Sequence, residues 1–79
     1  MRVSPTESSS RGAVLLWQWL VANSLTLPDL AERTGISRQQ LADLIRGDQR
    51  RISAEHAVLL ERETKRYVRV EAWLPEGTP

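Results

Sequence analysis

The sequence predicts an all-α domain of four to five helices, and three observations lead to this prediction. Apolar residues recur at helical spacing from about residue 10 to residue 23, and again between residues 27 and 45. Serine or threonine, which commonly caps helix N-termini, precedes each periodic segment, and glycine ends two of them. The 79 residues include no cysteine, so stability must come from helix packing, with dimerisation as a further source.

The chain is predicted to have three segments. Residues 1–9 are rich in serine, threonine and proline and predict a flexible N-terminal arm. Residues 10–64 carry the helical domain, and residues 65–79 form a C-terminal segment. The first helix is predicted from Ser10 to Asn23, with Ser9 or Ser10 as its cap. Three of its residues are expected to contact the core: Leu16, Trp19 and Leu20.

Two short helices follow, joined by a tight turn at Gly35. Thr26 is expected to cap the first of them, with Asp29 in the first turn, where an acidic side chain is favoured. Gly35 ends this helix because glycine readily adopts a positive φ. Ser37 and Gln40 are expected to form a capping box for the next helix.

This next helix, which Gly47 ends, is predicted to bury Leu41, Leu44 and Ile45. Its predicted outer face carries mostly long, polar side chains and consists of Arg38, Gln39, Ala42, Asp43 and Arg46. A rigid two-helix corner that carries a basic, amide-bearing helix suits recognition of a DNA major groove. The sequence therefore predicts a sequence-specific DNA-binding protein.

Ser53 is expected to cap a fourth helix that runs to about Thr64. Its expected core positions are Ala57, Val58 and Leu60. The sequence YVRVEAWL that follows soon after alternates like a strand, yet residues 69–74 can equally form one or two helical turns ended by Pro75. We expect a short helix there.

Charge and composition limit the possible functions. The net charge is only +1, but residues 38–51 hold an excess of two positive charges where DNA would dock. The charged residues of this stretch are Arg38, Arg46, Arg50 and Arg51 against Asp43 and Asp48.

With one histidine and no cysteine, no metal site, cofactor or catalytic centre is expected. The longest apolar run is five residues, Ala13 to Trp17, against the roughly 20 of a membrane span. No secretory signal is expected either, so the predicted location is cytoplasmic, without membrane association.

From Leu16 to Thr64 the chain resembles the Cro and phage-repressor type of helix-turn-helix. The resemblance is carried by the LxxWL pattern of the first helix and by Ala31, Gly35, Ile36, Leu41, Leu44 and Gly47. The segment RRISAEHAVLLERET is further similar to small Cro-like regulators that include toxin–antitoxin and prophage antitoxin members. This resemblance implies a lambda-repressor-like fold and a homodimer on a double-stranded DNA operator.

By position, the resemblance implies base contacts from Arg38 and Gln39, with Ala42 and Asp43 one turn further on. A guanidinium suits guanine O6 and N7, and a glutamine amide suits adenine N6 and N7. The residues predicted to contact phosphate are Thr26, Ser37, Arg46, Arg50 and Arg51.

Two positions depart from the pattern of the family. Leu27 stands where a polar residue often contacts phosphate, so one anchoring contact is not expected. Asp43 has the wrong charge for phosphate. Its carboxylate could accept from a cytosine N4, or pair with Arg46 or Arg38.

Two apolar surfaces are candidates for a dimer contact. The favoured one lies in the C-terminal segment and comprises Tyr67, Val68, Val70, Trp73 and Leu74. The other, termed the first-helix stripe, comprises Val14, Trp17 and Val21. The arm or tail could cover this stripe, or the stripe could contact a second subunit or another protein.

The predicted function is a Cro-like repressor that binds a pseudo-palindromic operator as a homodimer. The alternative is an antitoxin or other interaction module that masks a protein partner, such as a toxin or a phage regulator.

Overall fold

The computed structural model describes residues 3–48 and 52–73. Within these ranges the chain forms four α-helices, α1 (Arg11–Ala22), α2 (Leu27–Thr34), α3 (Arg38–Arg46) and α4 (Ala54–Glu63), and a C-terminal 3-10 turn, Val70–Trp73. The described residues form no strand, which confirms the predicted all-α class. No helix within them is long and apolar enough to cross a membrane.

Each helix begins at a serine or threonine side chain that accepts a hydrogen bond from the backbone three residues later. These caps are Ser10, Thr26, Ser37 and Ser53. The capping box, however, forms at α2, where Thr26 and Asp29 bond reciprocally. The box expected at Ser37 is incomplete, because the Gln40 amide instead lies 3.1 Å from His56 Nδ1 of α4.

The core is built from one face of each helix. α1 packs on α3 and on the 3-10 turn, α2 packs on α3 and α4, and α4 also packs on the 3-10 turn. The largest fully buried apolar side chains of the core are Leu16, Leu30, Ile36, Leu41, Leu44, Ile45, Leu60 and Val68. Val58, expected in the core, is 38% exposed, and Trp19 is half-buried.

The described part of the C-terminal segment, residues 65–73, is folded back onto the domain. At Gly12 of α1 a Cβ would lie 2.5–2.8 Å from the Trp73 ring, so the indole packs where only glycine fits. Glu61 of α4 accepts a hydrogen bond from the Val70 backbone nitrogen at 3.1 Å. Val68 is fully buried and Trp73 is 6% exposed. These two residues, predicted to contact a second subunit, therefore belong to the core of the domain.

The N-terminal residues also pack on the domain. Ser9 Oγ donates to the carbonyl of Ile45, and Thr6 Oγ1 donates to that of Arg46 at 2.6 Å. A Cβ at Gly47 would lie only 2.5–2.7 Å from the backbone of residues 8 and 9. The segment predicted as a flexible arm thus caps the last carbonyls of α3, where helices leave backbone acceptors unsatisfied.

Candidate nucleic-acid interface

The corner between α2 and α3 is short and fixed at three successive residues. Gly35 ends α2 with φ 78° and donates its backbone N–H to the carbonyl of Ala31 at 2.8 Å. Ile36 is 2% exposed and anchors the turn in the core. Ser37 then caps α3 through the Gln40 backbone N–H. With both ends of the turn held, α3 has a defined orientation against α2.

The first turn of α3 presents polar side chains to solvent. Ser37, Arg38 and Gln39 are all exposed. Arg38 makes no ion pair with any residue in the described ranges, so its guanidinium donors face solvent there. A guanidinium and an amide at the start of an exposed helix provide the donors and acceptors that base edges require.

The second half of this surface is a hydrogen-bonded network. Asp43 Oδ1 accepts from Gln39 Nε2 at 3.0 Å and from Arg46 Nη2 at 2.8 Å. Arg46 Nε in turn lies 3.1 Å from Asp48 Oδ2. Of the two arginines expected as possible ion-pair partners of Asp43, Arg46 is the one that pairs with it. Two carboxylates already hold the Arg46 guanidinium, so a phosphate would have to compete with them.

Ala42 lies differently from the prediction. It is only 7% exposed and lines a groove beside α3 instead of projecting from the outer face. Its methyl group therefore offers little surface to a base edge. The exposed side of α3 is accordingly narrower than the sequence pattern indicates, and it centres on Arg38 and Gln39.

At the N-terminus of α2, the Asp29 carboxylate of the same helix already accepts hydrogen bonds. Asp29 Oδ2 accepts from the backbone nitrogen and the hydroxyl of Thr26, at 3.0 and 2.9 Å. These two hydrogen bonds, the backbone one foremost, hold the pKa of the Asp29 carboxyl below its ordinary value. The Thr26 hydroxyl, predicted to contact phosphate, is thus engaged by a carboxylate. This arrangement lowers the local affinity for an anion.

An apolar groove runs between α3, the C-terminal half of α1 and the start of α2. Its walls include half-buried Trp17 and Leu27 and the 60% exposed Val21. Val3 and Ser4 of the arm line it as well, and Arg38 and Gln39 form part of the same lining. The sequence indicated Trp17 and Val21 as part of the first-helix stripe, but not their position next to the outer face of α3.

Of the remaining predicted site residues, three are outside the described residues: Arg50, Arg51 and Leu74. In the C-terminal segment, Tyr67 is 49% exposed and Val70 is half-buried, so these two retain surface. Within the described ranges, no cluster of three or more potential ligand side chains could hold a metal ion.

Comparison with known proteins gives one family. The family model HTH_3, described as Helix-turn-helix, matches residues 18–68, about two-thirds of the chain. Neither a curated protein nor a solved structure matches the chain. The matched range extends from the middle of α1 through α4 to Val68, and so includes the whole α2–α3 corner.

Proposed function

Since the chain belongs to the helix-turn-helix family, whose members are DNA-binding regulators, we propose that it is a Cro-like repressor that binds a pseudo-palindromic operator as a homodimer. Repression by such a domain needs no catalysis, because a protein that occupies a promoter excludes polymerase. No cofactor is needed for this function. Under this proposal α3 enters the major groove and its first turn meets the base edges.

The observation that carries the proposal is the exposed first turn of α3. Arg38 and Gln39 project from a helix that Ser37 caps at its start and Gly47 ends in a left-handed conformation. Base contacts need long donors on a rigid support, because a loosely held side chain loses more conformational entropy on binding. Arg38 suits guanine O6 and N7, and Gln39 suits adenine N6 and N7. Asp43 lies one turn further along and acts mainly on its neighbours.

Phosphate contacts are proposed for residues that flank this surface. Ser37 is exposed, and its hydroxyl hydrogen is used by none of the described residues. Arg50 and Arg51 follow α3 in the sequence and add two positive charges. Arg46 is proposed as a weaker contact, because Asp43 and Asp48 neutralise it. Thr26 is the least favoured of the five, because its hydroxyl bonds to Asp29.

The proposed dimer contact uses the exposed part of the C-terminal segment, namely Tyr67 and Val70, together with Leu74. The first-helix stripe is a poorer candidate for the operator-binding dimer. Trp17 and Val21 line the same groove as Arg38 and Gln39, so a second subunit there would crowd the residues that contact bases. Tyr67 and Val70 are not among the residues that line this groove, so a contact through them would leave Arg38 and Gln39 free to meet DNA.

The same groove favours one alternative function, that of an antitoxin or similar module that masks a partner protein. The groove has a volume of about 1040 Å³, against roughly 300–1,000 Å³ for pockets that bury a small ligand. It therefore has room for several apolar side chains of a partner. A partner bound here would also cover Arg38 and Gln39, and so would compete with DNA.

A salt titration separates the two functions. We expect the Kd for a mixed-sequence duplex to rise about tenfold or more between 50 and 200 mM salt, as neutralisation of two or more phosphates requires. Arg50→Ala should flatten the slope by about one unit if that side chain contacts a phosphate. Duplex binding that is undetectable at 50 mM salt would contradict the proposed function and leave the partner-masking alternative.

A further inference from the structure

The network behind the first turn of α3 constrains Gln39. One N–H of its amide donates to Asp43 Oδ1 at 3.0 Å. The side chain is otherwise exposed. The geometry joins residues one helical turn apart, as expected for positions i and i+4. It is also the only hydrogen bond of this amide within the described part of the chain.

The chemistry of Asp43 decides which way the amide faces. An ionised carboxylate only accepts hydrogen bonds, so it must meet the nitrogen of the Gln39 amide and not its oxygen. The outer edge of the amide then consists of Oε1 and the second N–H. In the flipped orientation the carboxylate would face the amide oxygen, and two acceptors would repel each other.

Asp43 is itself held in place. Arg46 Nη2 lies 2.8 Å from the same Oδ1 atom, and Arg46 Nε lies 3.1 Å from Asp48 Oδ2. Asp43 and Asp48 thus contact two different nitrogens of the Arg46 guanidinium. Of these two carboxylates, it is Asp43 that bonds to Gln39. All three side chains lie on the exposed side of α3 or directly after it.

On this basis, and resting on the proposed function, we infer that Asp43 is a positioning residue that makes Gln39 selective for adenine. The outer amide edge offers one acceptor and one donor, which match N6–H and N7 of adenine. A glutamine without this restraint can rotate and present its oxygen or its nitrogen to other bases at lower cost. Asp43 therefore raises discrimination at one base pair, and its negative charge lowers general affinity for DNA.

The test compares Asp43→Ala with the matched control Asp48→Ala on four duplexes that differ at one base pair. This base pair is the one at which Gln39→Ala abolishes discrimination. Alanine removes the acceptor of the Gln39 amide, whereas asparagine would keep an oxygen to which both Gln39 and Arg46 could still donate. Circular dichroism of each free variant checks that the helices are retained.

Wild-type protein should prefer A·T at this position by about 5- to 150-fold, the range of one bidentate pair. Asp43→Ala should lose at least about fivefold of this preference while its affinity for a mixed-sequence duplex rises, because a negative charge is removed from the DNA face. Asp48→Ala should show the same rise and keep the preference, because Asp48 contacts Arg46 and leaves the Asp43–Gln39 bond in place. Opposite changes of specificity and affinity are not expected from a residue with a merely structural role.

Three outcomes would overturn the inference. If Asp43→Ala keeps the wild-type preference, or if no base pair depends on Gln39, Asp43 does not position a base contact and the proposed function still stands. If wild-type protein binds no duplex, the proposed function fails together with the inference.

Discussion

Replacing Gly47 with alanine is expected to destabilise the protein more than the same replacement at Gly35. Both glycines follow a helix at positive φ, +85° and +78°, where alanine strains the backbone by about 1–3 kcal/mol. A Cβ at Gly35 would meet no atom within 4 Å, whereas at Gly47 it would lie 2.5–2.7 Å from the backbone of Ser8 and Ser9. The N-terminal arm must therefore move away from α3 in Gly47→Ala.

Moving the arm breaks the hydroxyl contacts of Thr6 and Ser9 with the end of α3, each worth about 0.5–1.5 kcal/mol. We expect urea unfolding to give a loss of about 2–6 kcal/mol for Gly47→Ala. The corresponding loss for Gly35→Ala should be about 1–3 kcal/mol. In a chain that lacks residues 1–9 the two losses should become equal. Equal losses in the full chain would contradict the packing of the arm on α3.

Arg38→Ala and Gln39→Ala are expected to have the largest effects on binding. Each should raise the Kd for the preferred operator by about 5- to 150-fold, because each removes a bidentate base contact. Affinity for a mixed-sequence duplex should change much less, since that binding depends on phosphate contacts. Fluorescence anisotropy with the two kinds of duplex measures both effects.

Arg62→Ala is the matched control for Arg38→Ala. Arg62 is also an exposed arginine, but it lies in the last turn of α4, away from α3. Its replacement should leave operator and mixed-sequence affinity nearly unchanged. If Arg38→Ala and Arg62→Ala weakened both duplexes equally, Arg38 would act through general charge and not through base contact.

Features encoded by neighbouring residues could be predicted from the sequence. Helix caps and glycine turns depend on residues at most four positions apart, so Thr26, Ser37, Gly35 and Gly47 identified the α2–α3 corner. The buried side of α3 followed from its apolar period in the same way. These local signals were enough for the all-α class and for the position of the exposed helix.

Features that depend on distant contacts could not be predicted. The Ser9–Ile45 and Thr6–Arg46 bonds join residues 36 and 40 positions apart, and nothing near Ser9 indicates them. Trp73 packs against Gly12 at the other end of the chain, so its apolar character suited a dimer surface and a core equally well. The burial of Ala42 similarly depends on the groove that α1 forms beside α3.

The most direct test of the central claim is selection of bound sequences from a random duplex pool. The account predicts enrichment of two inverted half-sites, with centres about one helical turn, roughly 34–36 Å, apart. Each half-site should contain an A·T pair whose enrichment disappears with Gln39→Ala. A pool that shows no enrichment after repeated rounds would contradict sequence-specific recognition by α3, and a single asymmetric site would contradict the homodimer.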